Sequence, residues 1–262
     1  MTAVASATAT IWNKHMRKFL MNTEELFGTM IQPILWVALF GLGMRGVMGA
    51  GGTMNTANYI GFMLPGIVAL SAMGGAIGGG MTWLDERVRG ILKEYLVAPV
   101  PRGSILFGNA ASTVTKASIQ AVVIFIVGML LGARPSGGLF EWLLAVVLMI
   151  AYALGFSGLA LSVASQTDDL MAYHAMIMLL NLPVLFLSNA LYPLASMPSW
   201  MRVGAMANPT SYLVDGLRQL LLIEPGQVSD FPLWLCAVVV LAFAAAGLAL
   251  AAKSISAKTA RG

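Results

Sequence analysis

Long apolar runs, broken at wide intervals by short charged clusters, dominate the chain. Crossing a hydrocarbon core of about 30 Å takes roughly 20 apolar residues in a helix. Residues 26–48 make the first candidate span, free of charge from Leu26 to Met44 and with Pro33 as a kink point. Residues 59–82 make the second. The third, 110–133, is the weakest, because its apolar part begins only after Lys116; Ser104 to Thr115 extends the same helix beyond the core. Residues 142–167, 170–190 and 231–252 complete a count of six. Between Leu170 and Arg202 no charge occurs, which is too long for one crossing and too short for two with a loop. Pro193 and Pro198 break that stretch. It predicts a span to about Asn189, then short segments that dip into the interface, where non-helical backbone needs protein or water as cover.

Two charged stretches also carry a helical period. Trp12, Met16, Phe19 and Thr23 recur on one face, with Lys14, His15, Arg17 and Lys18 elsewhere. The pattern fits a helix lying in the interface or a snorkelling extension of the first span. His15 is expected at the surface of this cluster. Between spans two and three, Leu84, Val88, Ile91, Leu92, Tyr95 and Leu96 form an apolar stripe opposite Asp85, Glu86, Arg87, Arg89, Lys93 and Glu94. A helix over 83–97 follows, stopped by Pro99 and Pro101. It suits docking on a soluble partner, or it is an ordinary solvated loop helix.

Composition agrees with the pattern. Of 262 residues, 58% are apolar and 10% charged, against roughly 45–50% and 25% in soluble domains. Too few polar side chains exist to cover a soluble fold, and disorder needs the opposite balance. A single cysteine, Cys236, excludes a disulfide scaffold. The first ten residues hold no apolar core, so no cleavable leader is expected.

The net charge of +4 gains meaning from its distribution and is no nucleic-acid signal. Lys14, Arg17, Lys18, Arg87, Arg89, Lys93, Arg102, Lys116, Lys253, Lys258 and Arg261 fall on one side of a six-span chain, and Arg45, Arg134, Arg202 and Arg218 on the other. The basic side faces the cytoplasm, so both termini are expected there.

Other chemistries find little support. Gly155-Phe156-Ser157-Gly158 matches the GxSG of intramembrane serine proteases, but Ser157 and His174 lie at depths differing by about 9 Å along their helices, beyond hydrogen-bond reach. The deep spans hold no ionisable relay of the kind an ion-coupled transporter needs. A purely structural anchor would not need the charged helix. In span two, Gly74, Gly75, Gly78 and Gly79 give small-xxx-small spacing. They serve either close packing within the subunit or a smooth wall along a dimer path.

The run from Asp85 to Val100, DERVRGILKEYLVAPV, resembles the coupling-helix signature of ABC type-2 transporter permeases. A second block is similar to the family's segment between its last two spans: Leu187 to Leu194, then Met197-Pro198-Ser199-Trp200, then Asn208-Pro209-Thr210-Ser211-Tyr212 through Asp215 to Arg218. Asn109 stands where the family often has Lys, and Asn189 where it often has Gly.

The resemblance implies an all-α membrane domain over residues 1–262, working as a homodimer in a bacterial inner membrane. Two copies of a separate ATPase would carry ATP and Mg. No GxxxxGK[ST] cradle occurs in this chain, so catalysis, cofactor, metal and nucleic acid are not expected of it. Asp85, Glu86, Arg87, Arg89, Gly90, Lys93 and Glu94 would couple to the ATPase. Tyr192, Pro193, Trp200, Asn208, Pro209, Tyr212, Asp215 and Arg218 would form an extracellular-side gate, with Asp215 and Arg218 spaced to pair on one helix face. The shape is most similar to the daunorubicin-resistance type, which points to export of hydrophobic or amphipathic drugs or lipids. Lipid-linked polysaccharide export is the alternative.

Overall fold

A break at Asn22 separates the amino-terminal charged stretch from the first span. Helix α1 (Thr2–Met21) ends there and α2 (Thr23–Gly49) begins, with Asn22 Oδ1 accepting the Glu25 N–H at 3.3 Å as an N-cap. In this computed structural model, which describes residues 2–49, 56–91, 102–191, 193–222 and 229–259, the other regular elements are also helices, and no strand occurs among the described residues. The chain continues as α3 (Thr56–Val88), α4 (Arg102–Leu130), α5 (Leu139–Gln166) and α6 (Leu170–Phe186). A single 3₁₀ turn (Leu194–Ser196) leads to the short α7 (Ser199–Ala207) and α8 (Pro209–Leu221), and α9 (Leu233–Thr259) closes the bundle.

Among the described residues, Ile60–Val88, Gly103–Leu130, Leu139–Gln166 and Leu233–Ser254 are long and apolar enough to cross a membrane. The expected fifth span is shorter than 170–190: α6 ends at Phe186, where the Leu187 N–H bonds back to Pro183 O at 2.8 Å. Pro183 in that last turn has no N–H to give the Leu179 carbonyl, which weakens the helix just before it ends. At 17 residues α6 spans about 26 Å.

The helix expected over 83–97 does not start as a separate element. Residues 83–88 continue α3, because nothing between Thr82 and Trp83 breaks the helix, and Trp83 and Leu84 are buried in line with the preceding turns. The stop comes at Gly90, whose φ of +82° admits glycine readily and ends the helix after Val88. Ile91 is helical again, and residues 92–97 lie outside the described residues.

Helix α3 sits at the centre, packed against α2, α4 and α5. Its Leu64, Ala69 and Ala76 join Tyr152 and Ala153 of α5 and Leu213 and Val214 of α8 in one core. The tightest crossing is α5 on α9. A Cβ on Gly158 would collide with the Gly247 backbone, and one on Gly247 with the Gly155 carbonyl. Without side chains there, the two helices approach backbone to backbone. Ser157 is fully buried beside this crossing while His174 is exposed, so the two do not meet as a nucleophile and base. Helix α1 lies along the early turns of α4, where Gly108 accommodates Ile11.

Candidate functional site

At one end of the bundle the charged end of α3 is tied into three other elements. Glu86, expected on an open docking face, is 6% exposed. Its Oε1 accepts from Lys14 Nζ at 2.7 Å and lies 3.2 Å from His15 Nε2, both on α1. His15 is likewise buried, not superficial, and its Nδ1 lies 3.3 Å from Ser112 Oγ on α4. Burial of the Met16 and Phe19 face turns His15 inward, toward the Glu86 carboxylate of α3. Trp12 adds a 3.0 Å hydrogen bond to Thr115, and Lys116 pairs with Glu25 at 2.7 Å above the Phe19 ring.

Arg87 points the other way. Its guanidinium donates to Ser165 O at 3.0 Å, to Thr167 O and to Asp168, and stacks over Trp83. The turn between α5 and α6 is thereby fastened to the end of α3. Asp85 and Arg89 pair with each other at 2.7 Å across one helical turn, with the Arg89 side chain 69% exposed. Of the expected coupling residues, Asp85, Arg89 and Gly90 therefore remain at the surface, Glu86 and Arg87 act as internal braces, and Lys93 and Glu94 lie outside the described residues.

The second block gathers at the opposite end. Asn208 caps α8 by accepting the Thr210 N–H at 3.0 Å, while its amide donates to Val184 O and Leu187 O at the end of α6. Pro209 occupies the first helical position, where a missing N–H costs nothing. Tyr212 donates to Met206 O at 2.7 Å and stacks on Phe231. Pro193 precedes the 3₁₀ turn, Trp200 is exposed on α7, and Tyr192 lies outside the described residues.

Asp215 and Arg218 do not form the surface pair their spacing suggests, and both are buried. The Asp215 carboxylate accepts from the Phe231 N–H at 2.9 Å, from the Asp230 N–H and from Gln219, holding the start of α9. Arg218 donates to Phe62 O at 3.0 Å and Asn189 O at 2.6 Å and covers the Phe62 ring. Burial raises the Asp215 carboxyl above its usual range, against the opposing pull of the two N–H groups, and lowers Arg218 to about 10. Asn189 also bonds Asp230, and Gly66 lets α3 pass against Ala190. Sequence spacing alone missed this arrangement, since the partners are carbonyls and N–H groups that carry no residue signature.

Between these ends a cavity of about 330 Å³ runs beside α3. Gly74, Gly75, Gly78 and Gly79 of span two all line it, in two roles. Gly74 and Gly78 have nothing within 4 Å of a built Cβ, whereas Gly75 faces Gln120 and Gly79 abuts Thr113 and Asn109 on α4. One pair gives a bare wall and the other a close helix contact.

Residues 6–222 match the family model described as ABC-2 type transporter, so α9 follows the matched region. The ycf38 protein of Porphyra purpurea, named as a transport permease, is 32% identical over 196 residues, covering 74% of this chain and 67% of that one. The daunorubicin resistance ABC transporter permease protein DrrB1 of Streptomyces coeruleorubidus is 24% identical over 222 residues, 84% of this chain and 76% of its own. Nodulation protein J of Rhizobium leguminosarum bv. trifolii is 28% identical over 209 residues, with 77% and 75% covered. An all-helical membrane fold, a charged extension of its central helix and a family match across most of its length converge: this chain belongs to the ABC-2 type transporter permease family.

Proposed function

We propose that the chain is the membrane half of an ATP-driven exporter for hydrophobic or amphipathic compounds, homodimeric, with six crossings and a separate ATPase at its charged end. The observation that carries this reading is the joint at the end of α3. Glu86 and Arg87 bind that helix to α1 and to the turn between α5 and α6, immediately before the segment that resembles a coupling helix. Closure of an ATPase must move the spans, and a loose loop would absorb the motion. A braced helix end transmits it. The ATPase contact falls to the outward pair Asp85 and Arg89, with Lys93 and Glu94 beyond. The same end carries Lys14, Lys116 and Lys253, which supports a cytoplasmic orientation.

The test is reconstitution of the permease with its ATPase. Replacing Glu86 and Arg87 together by Ala should leave the complex assembled and hydrolysing ATP while export is lost. Reversing Arg89 to Glu should instead weaken ATPase binding; a charge desolvated at such a contact is worth about 2–5 kcal/mol when removed. Wild-type export by the double variant would sink the coupling role of the joint.

A further inference from the structure

We propose that the cavity beside α3 binds an amphiphile whose head group is uncharged and bears hydroxyl groups. The inference rests on the exporter reading and names the class of compound that reading would carry. The cavity follows α3 from Ile67 to Thr82, about 22 Å of helix. Its 330 Å³ falls at the lower end of small-molecule sites, roughly 300–1,000 Å³.

The head-group end is set by α4. Asn109, Thr113 and Gln120 are 2%, 1% and 5% exposed, line the cavity, and follow one another along a single helix face. Asn109 Oδ1, Thr113 Oγ1 and Gln120 Oε1 are buried without a hydrogen-bond partner among the described residues. The amides of Asn109 and Gln120 each spend one N–H, on Gly79 O and Thr29 O. All three positions keep acceptor capacity, and the Thr113 hydroxyl can also donate, which suits hydroxyl groups that do both. Unpaired buried acceptors are costly and uncommon, more so within a membrane, where water is scarce. They sit at the back wall against Gly75 and Gly79, where no side chain stands between them and the cavity. A slight parting of α3 from α4 presents three acceptors in a row to a ligand rich in O–H donors.

Charge selects against ions. Among the described lining residues, Glu25 and Lys116 neutralise each other at 2.7 Å, and His15 is turned to the Glu86 carboxylate at 3.2 Å. A lone anion or cation gains no net partner there. The opposite end is apolar, with Trp36, Ile67 and Leu185. A second hollow of about 430 Å³, lined by Ile31, Leu35 and Leu39 on the open face of α2, shares Gln32 and Trp36 with the first. The tail of an amphiphile would continue into it.

The protein in lipid nanodiscs, without ATPase or nucleotide, is labelled with decyl glucoside carrying a diazirine on its chain. Saturable labelling of α2 and α4 is expected, displaced by decyl glucoside about tenfold more effectively than by decyl sulfate or decyltrimethylammonium, the ratio one lost hydrogen bond gives. Thr113→Val and Gln120→Leu should each weaken binding by a similar factor. Gly78→Leu lies on the bare wall, where nothing stands within 4 Å of an added Cβ, so if the buried variants fail to fold it carries the expectation of weaker binding by filling the cavity. Equal displacement by all three detergents, labelling spread over the whole apolar surface, or unchanged affinity in Gly78→Leu would each overturn the site. Because binding is read without transport, the two readings fail separately. A saturable glucoside site in a protein that exports nothing ends the exporter reading alone, and export unaffected by Thr113→Val and Gly78→Leu ends the site alone.

Discussion

Single glycines in this chain do opposite things, and the difference is a matter of a few ångströms. Gly158 meets the backbone of Gly247, where neither side can yield without moving a helix, while Gly78 faces open space on the cavity wall. Gly158→Ala should therefore destabilise the protein by about 1–3 kcal/mol through overpacking. Gly78→Ala should be neutral or stabilising by up to about 1 kcal/mol, since Ala is the better helix former. Thermal unfolding of both variants in one detergent checks this, and equal losses would contradict it. The spacing of Gly74, Gly75, Gly78 and Gly79 was visible in the sequence, but their roles were not. Which of two adjacent glycines faces a neighbour depends on where α4 lies, and that position is set by contacts far away in sequence. The α5–α9 crossing was harder still, because Gly247 lies far along the chain from Gly155 and Gly158 and only the fold brings them together.

Helical periodicity located nearly every element. The six apolar runs correspond to α2, α3, α4, α5, α6 and α9, and the break at Asn22 and the stop at Gly90 follow from a cap and a positive φ. Period places a residue on a face of its own helix but says nothing of what another helix brings to that face. For that reason Glu86 looked like part of an open polar surface, and His15 like a surface residue. Together they form the contact that seats α1 against α3 and α4. His15→Ala would leave Glu86 with only Lys14, whose side chain is 42% exposed, and Ser112 with only the Asn109 carbonyl. Losing a buried polar partner costs about 1–3 kcal/mol. The variant should melt earlier, and α1 should become cleavable by protease while the spans stay intact. An α1 as resistant as in the parent protein would mean that Trp12, Met16 and Phe19 suffice to hold it.

For the whole molecule, both ends of the bundle are built from connections that would otherwise be loose, and the basic residues divide between them. Lys14, Arg87, Arg89 and Lys116 stand at the end where α1, the close of α3 and the turn between α5 and α6 meet. Arg218 stands at the other, with the turn after α4 bound to α8 through Ser136 N–H and Leu221 O at 2.9 Å. At that end, carbonyls and N–H groups of the described residues between 187 and 231 are taken up by Arg218, Asn208 and Asp215, which is what such backbone needs near a hydrocarbon core. An orientation follows from the positive-inside rule and is open to direct measurement. Cys236 is buried, so replacing it by Ala leaves a background in which single cysteines report on their own exposure. Ser6 and Gln166 are exposed or turn-proximal at the basic end, and Ser136 and Trp200 are exposed at the other. Cysteines at the first two should react with a membrane-impermeant maleimide only in inside-out vesicles, and those at the last two only in intact cells. Labelling of positions 6 and 136 from the same side would require an even number of crossings between them. That would remove either α2, α3 or α4 from the membrane, and with it the cavity that α2 and α4 enclose against α3.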